Sequence, residues 1–466
     1  MSRKGKTLIV VFIILLLLGG AYYGSTIRKN RKAETSSYTP TQKLGKIESG
    51  ELVKIEKPGL VLEKKDNLWE LAYLEGKIPP NLELDQRQIL TLVYSLSNIW
   101  IERIVDEAPQ DLSSYGLDKP ATLILTGLSG EKAAYILGDM TPSRTAYYAM
   151  EKGDPAVYTI SSYQAELMSF ALDDVRERII FPGFVLGNFV RLRIEAAGKK
   201  IEISAKPEAV PAYLSSSYSP YLLTSPYLLP RGVRAETLHY MLEPLNNLEI
   251  QDFIADSVDY SINNDPPSLA PYGLDRPMRI TLETGENSLE LLIGNETDGK
   301  RYAKLSGVPS VFTVGGLDRL LNIKAFDLVD KFFVLINIDM VESLIISGGE
   351  RNIEALILSS EDDGVFFLNG EKAENRSFRV FYQSVVGLLA DAECPALPAG
   401  QSVDAEITVE FRLNAPADSR ASITLVPYNR DFYAVRQEGR TEFLVSRNQV
   451  RNIFEAAGKV VLLKGE

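Results

Sequence analysis

YGLDKP at residues 115–120 and YGLDRP at residues 272–277 are the same six-residue element written twice, 157 positions apart. Matching segments follow each copy. ATLILTGLSGEKAAYILG runs from 121 to 138 and MRITLETGENSLELLIG from 278 to 294. Next come a tyrosine-bearing strand, TAYYAM at 145–150 against KRYAKL at 300–305, and a short apolar run, VYTI at 157–160 against VFTV at 311–314. SYQAELMSFALDDVRERI and GGLDRLLNIKAFDLVDKF read as the closing helices. A third copy without the YGLD element keeps the strand order: DAEITVEFRL, SITLVPYN, DFYAVRQEG and TEFLVS between 404 and 446, then the helix RNQVRNIFEAAG. Repetition over this length argues for tandem modules.

The segments ahead of these elements repeat as well. LVKIEK, LVLEKK and NLWELA alternate apolar and polar residues around Pro58-Gly59 and Asp66-Asn67, which reads as a meander with tight turns. FVRLRIEAAGKKIEIS and ESLIISGGERNIEALILSSEDDGVFFLN are its counterparts. A helix is expected after each meander. Its apolar residues recur at helical spacing: Ile89, Val93, Leu96 and Trp100; Leu238, Leu242, Leu245 and Leu248; Phe378, Tyr382, Val385 and Leu388. The predicted fold is α+β, with three tandem modules of antiparallel sheet plus helix at 46–182, 183–336 and 337–466, the third degenerate.

Ahead of the modules, Thr7 to Tyr23 (TLIVVFIILLLLGGAYY) is uncharged over 17 residues, near the minimum for crossing a hydrocarbon core of about 30 Å. Basic collars flank it, and Tyr22 and Tyr23 lie at its far end. Residues 1–32 are therefore expected to form a single-span membrane anchor, joined to the body by a polar linker at 33–45. Gly19 and Ala21 would suit signal cleavage, but the basic cluster at 28–32 favours an uncleaved anchor. The signal-like start places the N-terminus in the cytoplasm and the body outside it. The collar charges alone do not decide this orientation.

Composition narrows the function classes. The chain has 466 residues, 45% hydrophobic and 24% charged, which suits a folded protein of about three domains. One histidine and one cysteine exclude two-histidine zinc motifs, CxxC pairs and an internal disulfide. The first 32 residues hold seven bases and no acid, leaving 43 bases against 62 acids in the rest, a balance of −19. Phosphate backbones repel such a body, so no nucleic-acid partner is expected.

The YGLD-x-P element, the LG or IG strand end and the tyrosine strand resemble the bacterial family called domain of unknown function 4340. This resemblance extends over the chain after the linker and is specific in the first two copies. It implies a single-span, extracytoplasmic protein, often encoded beside ABC-type transporter components related to gliding motility. An ABC-type permease complex follows as an implied partner, and the cytoplasmic membrane is contacted through one N-terminal helix. No catalytic residue comes with the family. The third copy departs from the pattern.

Tyr115, Gly116, Leu117, Asp118 and Pro120, with Tyr272, Gly273, Leu274, Asp275 and Pro277, read as structural. Glycine supplies positive φ, aspartate bonds backbone N–H groups, leucine plugs the core and proline precedes a strand. His239 overlays Leu90 and is expected on a packed helix face, and Cys394 reads as a buried structural thiol. Ser129-Gly130-Glu131-Lys132 matches SxxK but falls on a hairpin turn, without the helix start that such a nucleophile needs. Asp173-Asp174 and Asp362-Asp363 read as a solvated face and a turn. The segment that breaks the repeat is AYLSSSYSPYLLTSPYLLP at 212–230, uncharged and carrying Tyr213, Tyr218, Tyr221 and Tyr227. It is read either as a loop contacting a partner or glycan, or as one folded over its own repeat. No cofactor or metal is expected. An accessory or scaffold role is the leading reading; the alternative is an envelope hydrolase using carboxylates between repeats.

Overall fold

In the computed structural model, adjacent positive-φ residues Asp66 (48°) and Asn67 (68°) reverse one hairpin and Gly59 (78°) another, as the turn chemistry dictates. The structure describes residues 42–45, 47–182, 189–214, 219–256, 269–285, 287–348, 351–359, 364–395, 406–414 and 419–463. The Thr7–Tyr23 run, Tyr218 and Asp362-Asp363 lie outside them. Among the described residues no helix is long and apolar enough to cross a membrane.

Three large antiparallel sheets carry the fold. The first comprises β1 (Leu52–Lys57), β2 (Leu60–Lys65), β3 (Leu68–Leu74), β4 (Arg103–Asp106), β5 (Leu123–Gly127), β6 (Lys132–Met140), β7 (Ala146–Glu151) and β8 (Val157–Ser161). Its spatial order is β3-β2-β1-β5-β6-β7-β8-β4. The second holds β9 (Arg191–Ala196), β10 (Lys199–Ala205), β11 (Tyr221–Ser225), β12 (Arg231–Gly232), β13 (Phe253–Ala255), β14 (Met278–Glu283), β15 (Ser288–Thr297), β16 (Lys300–Leu305) and β17 (Val311–Val314). The third holds β18 (Val341–Gly348), β19 (Arg351–Ser359), β20 (Val365–Leu368), β21 (Glu371–Ala373), β22 (Ala392–Glu393), β23 (Ile407–Leu413), β24 (Arg420–Pro427), β25 (Phe432–Gln437) and β26 (Arg440–Ser446). Their orders, β12-β11-β10-β9-β14-β15-β16-β17-β13 and β21-β20-β19-β18-β23-β24-β25-β26-β22, repeat that of the first with one more edge strand, β12 or β21. Each front meander joins the rear meander through their first strands, and a short strand after the first helix closes the far edge.

Among the described residues helices are few and short: α1 (Gln86–Ser97), α2 (Ser162–Met168), α3 (Ala235–Leu242), α4 (Asp318–Asn322), α5 (Ala325–Leu328), α6 (Asn375–Val386) and α7 (Arg447–Gly458). The expected closing helices of the first two copies are thus broken. In the first, the Asp174 carboxylate accepts the Ala171 N–H at 2.7 Å and starts a separate 3-10 turn at Leu172–Asp174. Helix α1 also stops sooner than its apolar spacing suggests. Ile89, Val93 and Leu96 are buried, whereas Trp100 lies beyond the helix in an extended segment that bridges Lys43.

In each copy a late segment of the chain pairs back to the start of the first helix. In the first copy the residues after the Leu172–Asp174 turn pair back to the α1 N-cap: Leu84 bridges Arg176, and Asp85 N–H donates to Val175 O at 2.9 Å. Val233 with Val329 and Ala373 with Leu462 repeat this closure. Within the second unit Ile179 pairs with Glu249, and Phe332 with Leu389. The chain divides into two compact units, through Glu177 and from Arg178. The first has its own core, from Leu44 to Val175. In the second unit the two sheets remain separate, but their buried residues form one continuous cluster from Ile180 to Val460.

Candidate functional site

The repeated YGLD elements make the same backbone hydrogen bonds. Each ends a 3-10 turn, Ser113–Tyr115 or Ala270–Tyr272, with glycine in the left-handed region: Gly116 at φ 66° and Gly273 at φ 68°. Gly116 N–H donates to Ser113 O and Leu117 N–H to Leu112 O, both at 3.0 Å; Gly273 to Ala270 O and Leu274 to Leu269 O have the same lengths. Asp118 and Asp275 were expected to bond backbone N–H groups in this turn. Instead they are exposed, because these backbone pairs already satisfy it. Pro120 and Pro277 precede the strands.

Leu117 plugs a small apolar cluster with Ile136, Met150 and Val157, and Leu274 does so with Leu292 and Val311. These clusters lie outside the larger cores, so the apolar runs Val157–Ile160 and Val311–Val314 are buried at every residue. Tyr115 meets Tyr148 edge-on at 5.0 Å, and Tyr272 meets Tyr302 at 5.1 Å. Gly138 and Gly294, the strand ends in the sequence motif, let the turn approach: a Cβ there would lie 2.2 Å and 2.0 Å from the Tyr115 and Tyr272 carbonyl oxygens.

A buried polar cluster lies in the second unit, where Tyr227, Leu228 and Arg231 meet the third sheet. Arg231, on β12, is 5% exposed. It donates through Nη1 to Gln437 Oε1 at 2.6 Å and through Nη2 to Glu442 Oε2 at 3.1 Å. Its guanidinium lies over the Phe443 ring, 4.9 Å from the centroid. Gln437 passes the connection on, Nε2 donating to Phe333 O at 3.0 Å. The other Glu442 oxygen accepts the Leu228 N–H, and Tyr227 Oη donates to Glu393 Oε1 at 2.6 Å. Burial lowers the Arg231 pKa, opposed by the bond to Glu442. Burial and the Glu393 carboxylate push the Tyr227 phenol up. These carboxylates are occupied by donors from the other sheet, so the chemistry on offer is fastening.

Tyr213, Tyr221 and Tyr227 are all buried here. Tyr221 begins β11, the third strand of its meander, so part of what reads as an insertion is a regular strand. Tyr213 Oη donates to Pro230 O at 3.3 Å, and Tyr221 stacks on Phe189 at 4.3 Å. The sequence reading missed Arg231, Gln437, Glu442 and Glu393. Arg231 is the first charge after the uncharged run, which is a local signal, but its partner lies 211 residues away.

His239 departs from expectation. Both it and Leu90, its counterpart, face solvent, because Leu238, Met241 and Leu242 form the buried face of α3. Cys394 is half-buried against a cluster of Val426, Ala434 and Leu444 on the third sheet. Ser129 and Glu131 bond each other in the hairpin between β5 and β6. Asp173 pairs with Arg176 at 3.0 Å. Among the described residues, no three histidine, cysteine or carboxylate side chains come together as a metal site.

Fold and site together define a tandem-repeat protein of sheet-rich α+β modules, of which the first two carry matching glycine turns. The chain belongs to the family described as Domain of unknown function (DUF4340), whose model matches it twice, at residues 77–264 and 222–379. No curated protein and no solved structure matches it.

Proposed function

We propose that the chain is a membrane-anchored, extracytoplasmic accessory or scaffold protein that works beside an ABC-type transport system. The observation carrying this reading is the Arg231 cluster. Its buried polar groups fix one repeat against the next, as a platform that holds a partner in register requires. The uncharged Thr7–Tyr23 run between basic collars supports the anchor, and the −19 charge of the remainder supports a body held clear of anionic headgroups. Two measurements test it. Alkaline phosphatase fused after Glu466 is active and a GFP fusion there is dark; the reverse pattern refutes the topology. Affinity purification of the full chain from solubilised membranes recovers an ABC-type permease subunit by mass spectrometry. Recovery of the chain alone, with or without crosslinking, refutes the partner.

A further inference from the structure

The end of α1 carries a feature that the other two copies lack. Tyr94, Trp100 and Tyr163 wall a groove of about 370 Å³ in the first unit, with Asn98 and Glu102 along it. Tyr94 and Tyr163 are each 64% exposed. Tyr163 and Leu167 also line a second hollow of about 320 Å³ nearer the start of α1, with Gln88, Thr91 and Leu92, so Tyr163 stands as a ridge between two depressions. Both volumes are at the low end for small-molecule sites.

The fold does not require these aromatics. Counting from the helix N-caps Asp85, Arg234 and Glu374, position 94 is Glu243 in the second copy and Gln383 in the third. Trp100 corresponds to Glu249 and Leu389, as their bridges to Lys43, Ile179 and Phe332 confirm. Tyr163 corresponds in register to Leu317 and Asn448. The first and third copies share the clamp beneath, where the second has Asp318 in place of the glutamine. With its side-chain amide assigned to suit the neighbouring donors and acceptors, Gln164 holds the Trp100 backbone, its oxygen accepting the N–H at 2.6 Å and its nitrogen donating to the carbonyl at 3.1 Å. Gln449 holds Leu389 in the same way, at 2.9 and 3.1 Å. The clamp anchors Trp100 in the first unit, between Lys43, 5.7 Å from the ring centroid, and the groove.

We infer that this groove binds a neutral oligosaccharide. Aromatic faces stack on the C–H faces of pyranose rings, while an amide and a carboxylate can bond ring hydroxyls. No lysine or arginine lines the groove and Glu102 does, which disfavours phosphates, nucleic acids and anionic headgroups. Two hollows separated by a tyrosine ridge suit a linear chain better than a single sugar.

The chain has two tryptophans, and Trp69 is 2% exposed, so fluorescence changes on binding report Trp100. The full chain, held in a detergent without a sugar headgroup, is titrated with cellotetraose, chitotetraose and maltotetraose. A saturable change with at least one of them is expected. Y94A and Y163A raise its dissociation constant about tenfold or more. They leave the melting temperature unchanged, while Y73A, at another exposed tyrosine, leaves binding unchanged. The inference is overturned if no tetrasaccharide gives a saturable change at millimolar concentration. It is equally overturned if binding survives in a folded Y94A/Y163A double variant, or if those variants lose a co-purifying protein while sugars leave the fluorescence unaltered.

Discussion

A Cβ on Gly138 or Gly294 would meet a backbone carbonyl oxygen that cannot swing away, whereas one on Gly130 would meet open space. G138A and G294A should each cost at least about 2 kcal/mol in denaturant unfolding. G130A should lose only about 1 kcal/mol, for its φ of +87°. Equal losses at the three sites would contradict the packed-turn account. Arg231 and Glu442 are a buried pair, 5% and 10% exposed at the side chain. R231A strands the Glu442 carboxylate and should cost about 3–5 kcal/mol, more than the same truncation at Arg451, a surface partner of Glu455. Lys331 gives the pH test. Burial pushes its pKa down to about 8 from the ordinary 10.5. The folded chain therefore binds this proton less tightly than the unfolded one, so the charged form opposes folding at neutral pH. That penalty is relieved as pH rises from about 8 toward 10.5. Wild type should gain stability relative to K331M across this window; a flat or falling difference would show that Lys331 is not the titrating group.

Helix starts show how the same element is finished differently in each copy. Asp85 accepts N–H bonds from Arg87 and Gln88 at 2.9 and 3.2 Å, and Glu374 accepts one from Ser377 at 2.7 Å. Arg234, at the matching position, makes no side-chain cap bond. D85A should therefore lose about 1 kcal/mol, and R234S should gain several tenths to about 1 kcal/mol. Loss of stability in R234S would mean that the arginine contributes in another way. Strands and turns were legible in the sequence because their signals are local: alternation sets a strand's buried face, and Asp66-Asn67 sets a turn. The end of α1 was not legible, because Trp100 continues the apolar spacing while the segment holding it extended, Gln164, is 64 residues away. The 212–230 segment misled for the same reason. Tyr221 and Tyr227 look available until Phe189, Phe443 and Glu393, distant in sequence, cover them. The short closing helices show the converse. There a local acceptor, Asp174, redirects the backbone and breaks a helical pattern.

At the scale of the molecule, sequence repetition and cooperativity divide the chain differently. Three copies repeat, but the second and third share one apolar cluster and the Arg231 fastener, while the first unit closes its own core between Leu44 and Val175. A cooperative unit is defined by the buried contacts that must be lost together, so two copies with a common core unfold as one. Calorimetry of the full chain should therefore resolve two transitions rather than one or three. The larger enthalpy belongs to the unit from Arg178, which holds more residues. The variants assign them. G138A, in the first unit, should lower one transition and leave the other in place. R231A should lower the other without splitting it, because the continuous apolar cluster still joins the second and third sheets. Three resolved transitions in wild type would show that the shared core does not couple those copies. A single transition moved by both variants would show that all three copies fold as one block.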